Sequence, residues 1–159
     1  MRVNPDTKKA VDFGMSGLAA VAIFYLVSIV PMHELGHAAV CMHEGHEPVL
    51  TFNGRLGIQC DGIGFPREPY YVMGGVFGMG AAAMLYLTGR IVHASVLLLA
   101  AIPLGIMEAG TAVLETWVHY EYVQDPQTSL LAFIPAVYVG IMLVACRHNR
   151  MVRKLLAIP

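Results

Sequence analysis

Residues 16–40 read SGLAAVAIFYLVSIVPMHELGHAAV, and in these 25 residues the only Asp, Glu, Lys or Arg is Glu34. About 20 such residues, rising 1.5 Å each as a helix, cross the roughly 30 Å of a bilayer's hydrocarbon. The stretch therefore predicts a membrane-spanning helix over about 16–40. Its far end carries His33-Glu34-Leu35-Gly36-His37. A charged side chain inside a span costs about 3 kcal/mol even on lenient insertion scales, so polar residues held there mark function. Residues i and i+4 share a helical face, so His33 and His37 can offer two imidazoles to one metal ion. Glu34 projects beside them, placed to take a proton from a water that the metal activates.

The rest of the chain supports this reading. Of 159 residues, 57% are hydrophobic and only 13% charged, against about 25% charged in an average soluble domain. A globule of this size cannot bury that surplus. Three more apolar stretches have spanning length, at about 70–88, 91–115 and 129–146. The fold expected is an all-α membrane protein, integral and multi-pass: a four-helix transmembrane bundle forming a single domain over 1–159. A β-hairpin is inserted between helices 1 and 2. That hairpin, over about 49–60, is read from Val49 to Phe52, an Asn53-Gly54 turn signal, and Arg55 to Cys60. Gly74 and Gly78, a GxxxG step in the second span, are expected to serve ordinary helix packing.

Charge and cysteine content narrow the partners. A formal net charge of −1 offers no basic footprint, so nucleic acid is excluded as a partner. Cys41, Cys60 and Cys146 form no metal or disulfide spacing pattern and are expected as free thiols. A Cys41–Cys60 bridge is open only where the loop faces an oxidising side. Arg2, Lys8, Lys9, Arg90, Arg147, Arg150, Arg153 and Lys154 fall on one side of the bundle, against Arg55 and Arg67 on the other. That bias places both termini in the cytoplasm. Tyr70, Tyr71, Trp117, Tyr120 and Tyr122 gather at the hairpin face as interfacial anchors.

A catalytic zinc takes three protein ligands and keeps one position open. Two are His33 and His37. For the third, the acid well inside the third span is Glu108. Glu108 stands seven residues before Glu115 as His33 stands seven before Val40, so both lie about 10 Å from the hairpin face at 1.5 Å per residue. Glu115 is the second choice, as a carboxylate closer to the interface. His43, His46, His93, His119 and His148 are expected to be solvated or interfacial, and Cys41 to pack at the helix end. Pro31 removes a backbone donor and predicts a bend just before the motif.

These residues resemble the site-2 protease family of intramembrane zinc metalloproteases (M50-like). The likeness rests on His33-Glu34-Leu35-Gly36-His37 with Ala38-Ala39 following. A hairpin, a glycine-rich second helix and a third helix with an embedded acid then occur in order. The resemblance implies Zn²⁺ held by His33, His37 and Glu108, with Glu34 as the catalytic base. It also implies hydrolysis of membrane protein or peptide substrates within the lipid bilayer, the hairpin over 49–60 being suspected of binding them. Glu108 stands where the family has Asp, and the family's accompanying Asn has no counterpart. The family places its site towards the cytosol, opposite to the charge bias. The alternatives are a non-proteolytic membrane metal carrier or sensor and an inactive helix-binding homologue.

Overall fold

The computed structural model describes residues 5–52, 56–61, 67–117 and 126–158. Helix α1 (Pro5–Phe24), a π-helical turn (Tyr25–Ile29) and α2 (Val30–His43) run on as one rod. Asp6–His43 is 38 residues of continuous apolar helix. The wide turn closes with the Val30 N–H on the Tyr25 carbonyl, five residues back. It falls directly before Pro31, whose missing N–H leaves the ladder free to re-register there. One added residue turns the following face by about 100°. The two halves of the rod accordingly meet different partners. Gly17 of α1 lies against the Leu99 side chain, and Gly36 of α2 lies on the backbone carbonyl of Met73.

Strands β1 (Glu47–Phe52) and β2 (Leu56–Asp61) pair antiparallel. The hairpin thus stands where it is expected, but its register pairs Phe52 with Leu56 and Leu50 with Ile58. A two-residue Asn53-Gly54 turn would pair Phe52 with Arg55. The connection is instead residues 53–55, one residue longer, and lies outside the described residues. Three-residue hairpin loops are the next commonest after two-residue ones.

Cys41 and Cys60 are bridged, with their Cα atoms 5.6 Å apart, inside the range a disulfide spans. This corrects the expectation of three free thiols. Spacing in sequence gave no sign of the bridge, because hairpin pairing is what returns Cys60 to the end of α2. Cys146 remains a free thiol. The bridge ties β2 to α2 across 19 residues of sequence, a closure that stabilises the fold by about 3 kcal/mol in the chain-entropy account.

Helices α3 (Arg67–Ile91) and α4 (Ser95–Trp117) follow, joined by a turn at residues 92–94. The third span therefore begins at Ser95 rather than at Ile91. Pro103 lies inside α4. Helix α5 (Pro126–Ala145) covers the fourth expected span and a short α6 (Arg150–Leu155) follows it. One core cluster joins Ile29, Ala82, Ala100, Leu104, Met107 and Ala136, with Tyr25 and Phe24 against it. A second, around Leu98, Leu99, Leu143 and Leu156, closes the opposite end. Among the described residues, three helices are long and apolar enough to cross a membrane: Asp6–His43, Pro69–Ile91 and Ser95–Trp117. In α5 the apolar run described is Leu131–Ala145.

Candidate metal centre

Helix α2 carries His33 and His37 one turn apart, and the small residue between them, Gly36, lets α3 lie directly on α2. The His37 side chain is 7% exposed and that of His33 12%, so both rings stand in a nearly dry cleft. The His37 Nδ1 lies 2.8 Å from the Tyr70 backbone carbonyl. A carbonyl only accepts, so Nδ1 carries the ring proton and Nε2 presents its lone pair. The Tyr70 ring stacks on His37 at 4.3 Å and 30°, which holds the imidazole plane. His33 Nδ1 donates in the same way to Glu108 Oε2, at 2.8 Å.

With both Nδ1 atoms so engaged, the two Nε2 atoms face each other 3.1 Å apart. Glu115 closes the figure, with Oε1 3.4 Å from His33 Nε2 and Oε2 3.8 Å from His37 Nε2. Ligands about 2.1 Å from a tetrahedral zinc stand about 3.4 Å from one another. The observed separations bracket that edge length. At that separation the two Nε2 atoms must share either a proton or a cation. Glu115 Oε2 is itself buried with no hydrogen-bond partner among the described residues, a costly state that a cation would relieve. The three donor atoms lie within 4.8 Å of one another. His33, His37 and Glu115 can hold a metal ion.

Glu115, the second choice, is thus the carboxylate grouped with the two Nε2 atoms, while Glu108, the first choice, lies against His33 Nδ1. The depth match with His33 holds, since the two side chains touch. Glu108, however, meets the Nδ1 edge of His33, on the far side of the ring from His37. Glu115 reaches the site because helical side chains lean towards the N-terminus of their helix. Its carboxylate thus sits below the level of its own Cα, away from the interface. A carboxylate hydrogen-bonded behind a ligating imidazole fixes its tautomer and raises its basicity.

Two glycines expected to serve general packing belong to the site. A Cβ at Gly74 would lie 2.5 Å from His37 Nε2 and 2.7 Å from His33 Nε2, and one at Gly78 would strike the Glu108 carboxylate. Their bare backbone leaves the cleft its room. The GxxxG step was the available signal, and only the partner helices α2 and α4 show what it faces.

Glu34 stands apart from His33, His37 and Glu115. Its Oε2 accepts the Ile58 N–H at 2.6 Å, while the Tyr70 hydroxyl donates to the Ile58 carbonyl. Both backbone groups of Ile58 thus point away from β1 and towards the cleft. The hairpin is bound to the motif through Glu34, Tyr70 and the Cys41–Cys60 bridge. Among the remaining histidines, His93 and His148 lie exposed at the opposite end of the molecule and His43 on the outer end of α2. His119 lies outside the described residues.

No protein-family model, no curated protein and no solved structure matches this chain.

Proposed function

We propose that this chain is a multi-pass membrane protein of four spans, α5 being the fourth. In this reading it is an intramembrane metalloendopeptidase that hydrolyses peptide bonds of membrane protein or peptide substrates. The observation that carries the reading is the arrangement of His33, His37 and Glu115. Two imidazoles have Nδ1 committed elsewhere and Nε2 converging at 3.1 Å, beside a buried carboxylate oxygen with no hydrogen-bond partner among the described residues. Two imidazoles and one carboxylate suit Zn²⁺ and leave a fourth position open. When bound, such an ion supplies Lewis acidity and brings the ionisation of water near neutral pH.

The chain's own groups do the rest. Glu34 is the acid of the motif that ligates nothing. The Ile58 N–H anchors one of its oxygens, leaving the other to accept a proton from the attacking water and return one to the leaving amine. Glu108 holds His33 in the tautomer the site needs, and the Tyr70 carbonyl does the same for His37. The hairpin over 49–60 is the element that captures an unwound substrate segment in this reading, by strand addition. A carrier or an inactive helix-binding protein gives an anchored Glu34 no task.

The test is Glu34→Gln in reconstituted bilayers with a membrane-embedded peptide substrate. The amide keeps the side chain's shape but cannot take the proton. Cleavage falls by about 10²–10⁴-fold with metal stoichiometry unchanged. Wild-type cleavage by the variant would overturn the catalytic assignment.

A further inference from the structure

The end of the molecule opposite the metal centre carries a second constructed site. Helix α6 is short but firmly placed. Asn149 caps it by accepting the Met151 N–H, and Leu156 beyond it is fully buried against Leu98, Leu99 and Leu143. Ala157, at φ 49°, turns the chain back so that the Ile158 N–H reaches the Arg153 carbonyl. The Arg90 guanidinium, from the end of α3, donates to the Lys154 carbonyl at 2.7 Å. The cations of this segment are therefore held on a fixed frame.

Arg90, Arg150, Arg153 and Lys154, with His93 and His148, line a cleft of about 570 Å³ there. No carboxylate lines it among the described residues. Arg90, Arg150 and Lys154 alone bring three like charges to the cleft, and an anion among them offsets their repulsion. A second cleft shares His148, Arg153 and Ile158 with the first and adds Arg147. Arg147 also stands at the mouth of a third hollow, an apolar groove of about 690 Å³ between α1, α4 and α5. Gly14, Leu18, Tyr25, Pro103, Phe133 and Val137 are among its walls. Along α1 it extends from Ala10 to Tyr25, about 22 Å at 1.5 Å per residue. That length exceeds the roughly 15 Å of one leaflet's hydrocarbon, room for an extended acyl chain, and stops short of the roughly 30 Å that a spanning helix would occupy.

We propose that this continuous surface binds one phospholipid with an anionic headgroup. The phosphate lies among Arg90, Arg150, Arg153 and Lys154, and an acyl chain runs past Arg147 into the α1–α4–α5 groove. Basic clefts between spans select anionic headgroups in this way. The site is independent of the metal centre and rests only on the chain's insertion in a bilayer.

The test is lipid retention by the full chain. Protein reconstituted in nanodiscs of equal phosphatidylglycerol and phosphatidylcholine with matched acyl chains is extracted, and co-purifying lipid is counted by native mass spectrometry. Wild type retains one phosphatidylglycerol with at least tenfold preference. Arg150→Gln/Arg153→Gln/Lys154→Gln brings the preference close to one. Leu18→Trp, which fills the groove and leaves every cation in place, lowers occupancy of both lipids. Lys154→Gln alone gives an intermediate preference and serves should the triple variant fail to fold. Equal retention of the two lipids by wild type would overturn the proposal. So would displacement of phosphatidylglycerol by millimolar inorganic phosphate or glycerol phosphate, which would assign the cleft to a free phosphate.

Discussion

Glu108 and Glu115 stand seven residues apart on one face of α4 and meet the same imidazole from opposite edges. Their consequences on substitution should therefore differ in size. Removing an outer hydrogen-bond partner of a ligating histidine costs about 10–100-fold in metal affinity. Glu108→Gln still offers His33 Nδ1 a carbonyl oxygen, so its loss should fall at or below the low end of that range. Glu115→Ala deletes a ligand and should weaken zinc binding by more than 100-fold, beyond the range for an outer partner. Competition titration with a chelator of known affinity measures both. A Glu108→Gln loss exceeding that of Glu115→Ala would return Glu108 to the ligand set. At this scale the motif was fully legible, because His33, Glu34 and His37 are separated by helical turns alone. The choice between Glu108 and Glu115 was not, since it depends on which side of the His33 ring each carboxylate approaches. That is set by packing of α3 between α2 and α4 through Gly74 and Gly78.

At the scale of elements, the hairpin serves as the brace of Glu34. Leu50 and Ile58 are paired in register, yet the Ile58 N–H and carbonyl are spent on Glu34 and Tyr70. Proline at an outward-facing edge position removes no ladder bond. Ile58→Pro should therefore keep the strand pairing while deleting the donor to Glu34. The expected outcome is wild-type zinc stoichiometry with turnover reduced about tenfold, the scale of one lost charge-assisted bond of about 1.5 kcal/mol. Unchanged turnover would separate the hairpin from the base. The hairpin and the helices were readable from Asn53-Gly54 and from the apolar runs. The Cys41–Cys60 bridge was legible only as the alternative to free thiols, and the added residue in the connection and the π turn before Pro31 were not legible. Each depends on how two elements meet, and hydropathy along the chain carries no record of that.

For the whole molecule, two independent features bear on which way it faces. Among the described residues, Lys8, Lys9, Arg90, Arg147, Arg150, Arg153 and Lys154 stand on the side away from the hairpin and Arg67 on the hairpin side, a bias expected to keep the first side in the cytoplasm. The Cys41–Cys60 bridge lies at the hairpin, and disulfides persist on the oxidising side of a membrane. Neither feature depends on the other, and both lead to the expectation that His33, His37 and Glu115 lie towards the side away from the cytoplasm. This is opposite to what the likeness to site-2 proteases implies. In that orientation the proposed anionic-lipid site would face the cytoplasmic leaflet, where anionic headgroups concentrate. Arg150 is exposed at that end, so a cysteine placed there reports its side. In Cys146→Ser/Arg150→Cys, a membrane-impermeant maleimide should label the protein only after cells are permeabilised. Cys41 and Cys60 should resist the reagent until they are reduced. Labelling of the Arg150→Cys variant in intact cells, with Cys41 and Cys60 found as thiols, would invert the orientation and send substrates to the site from the cytoplasm.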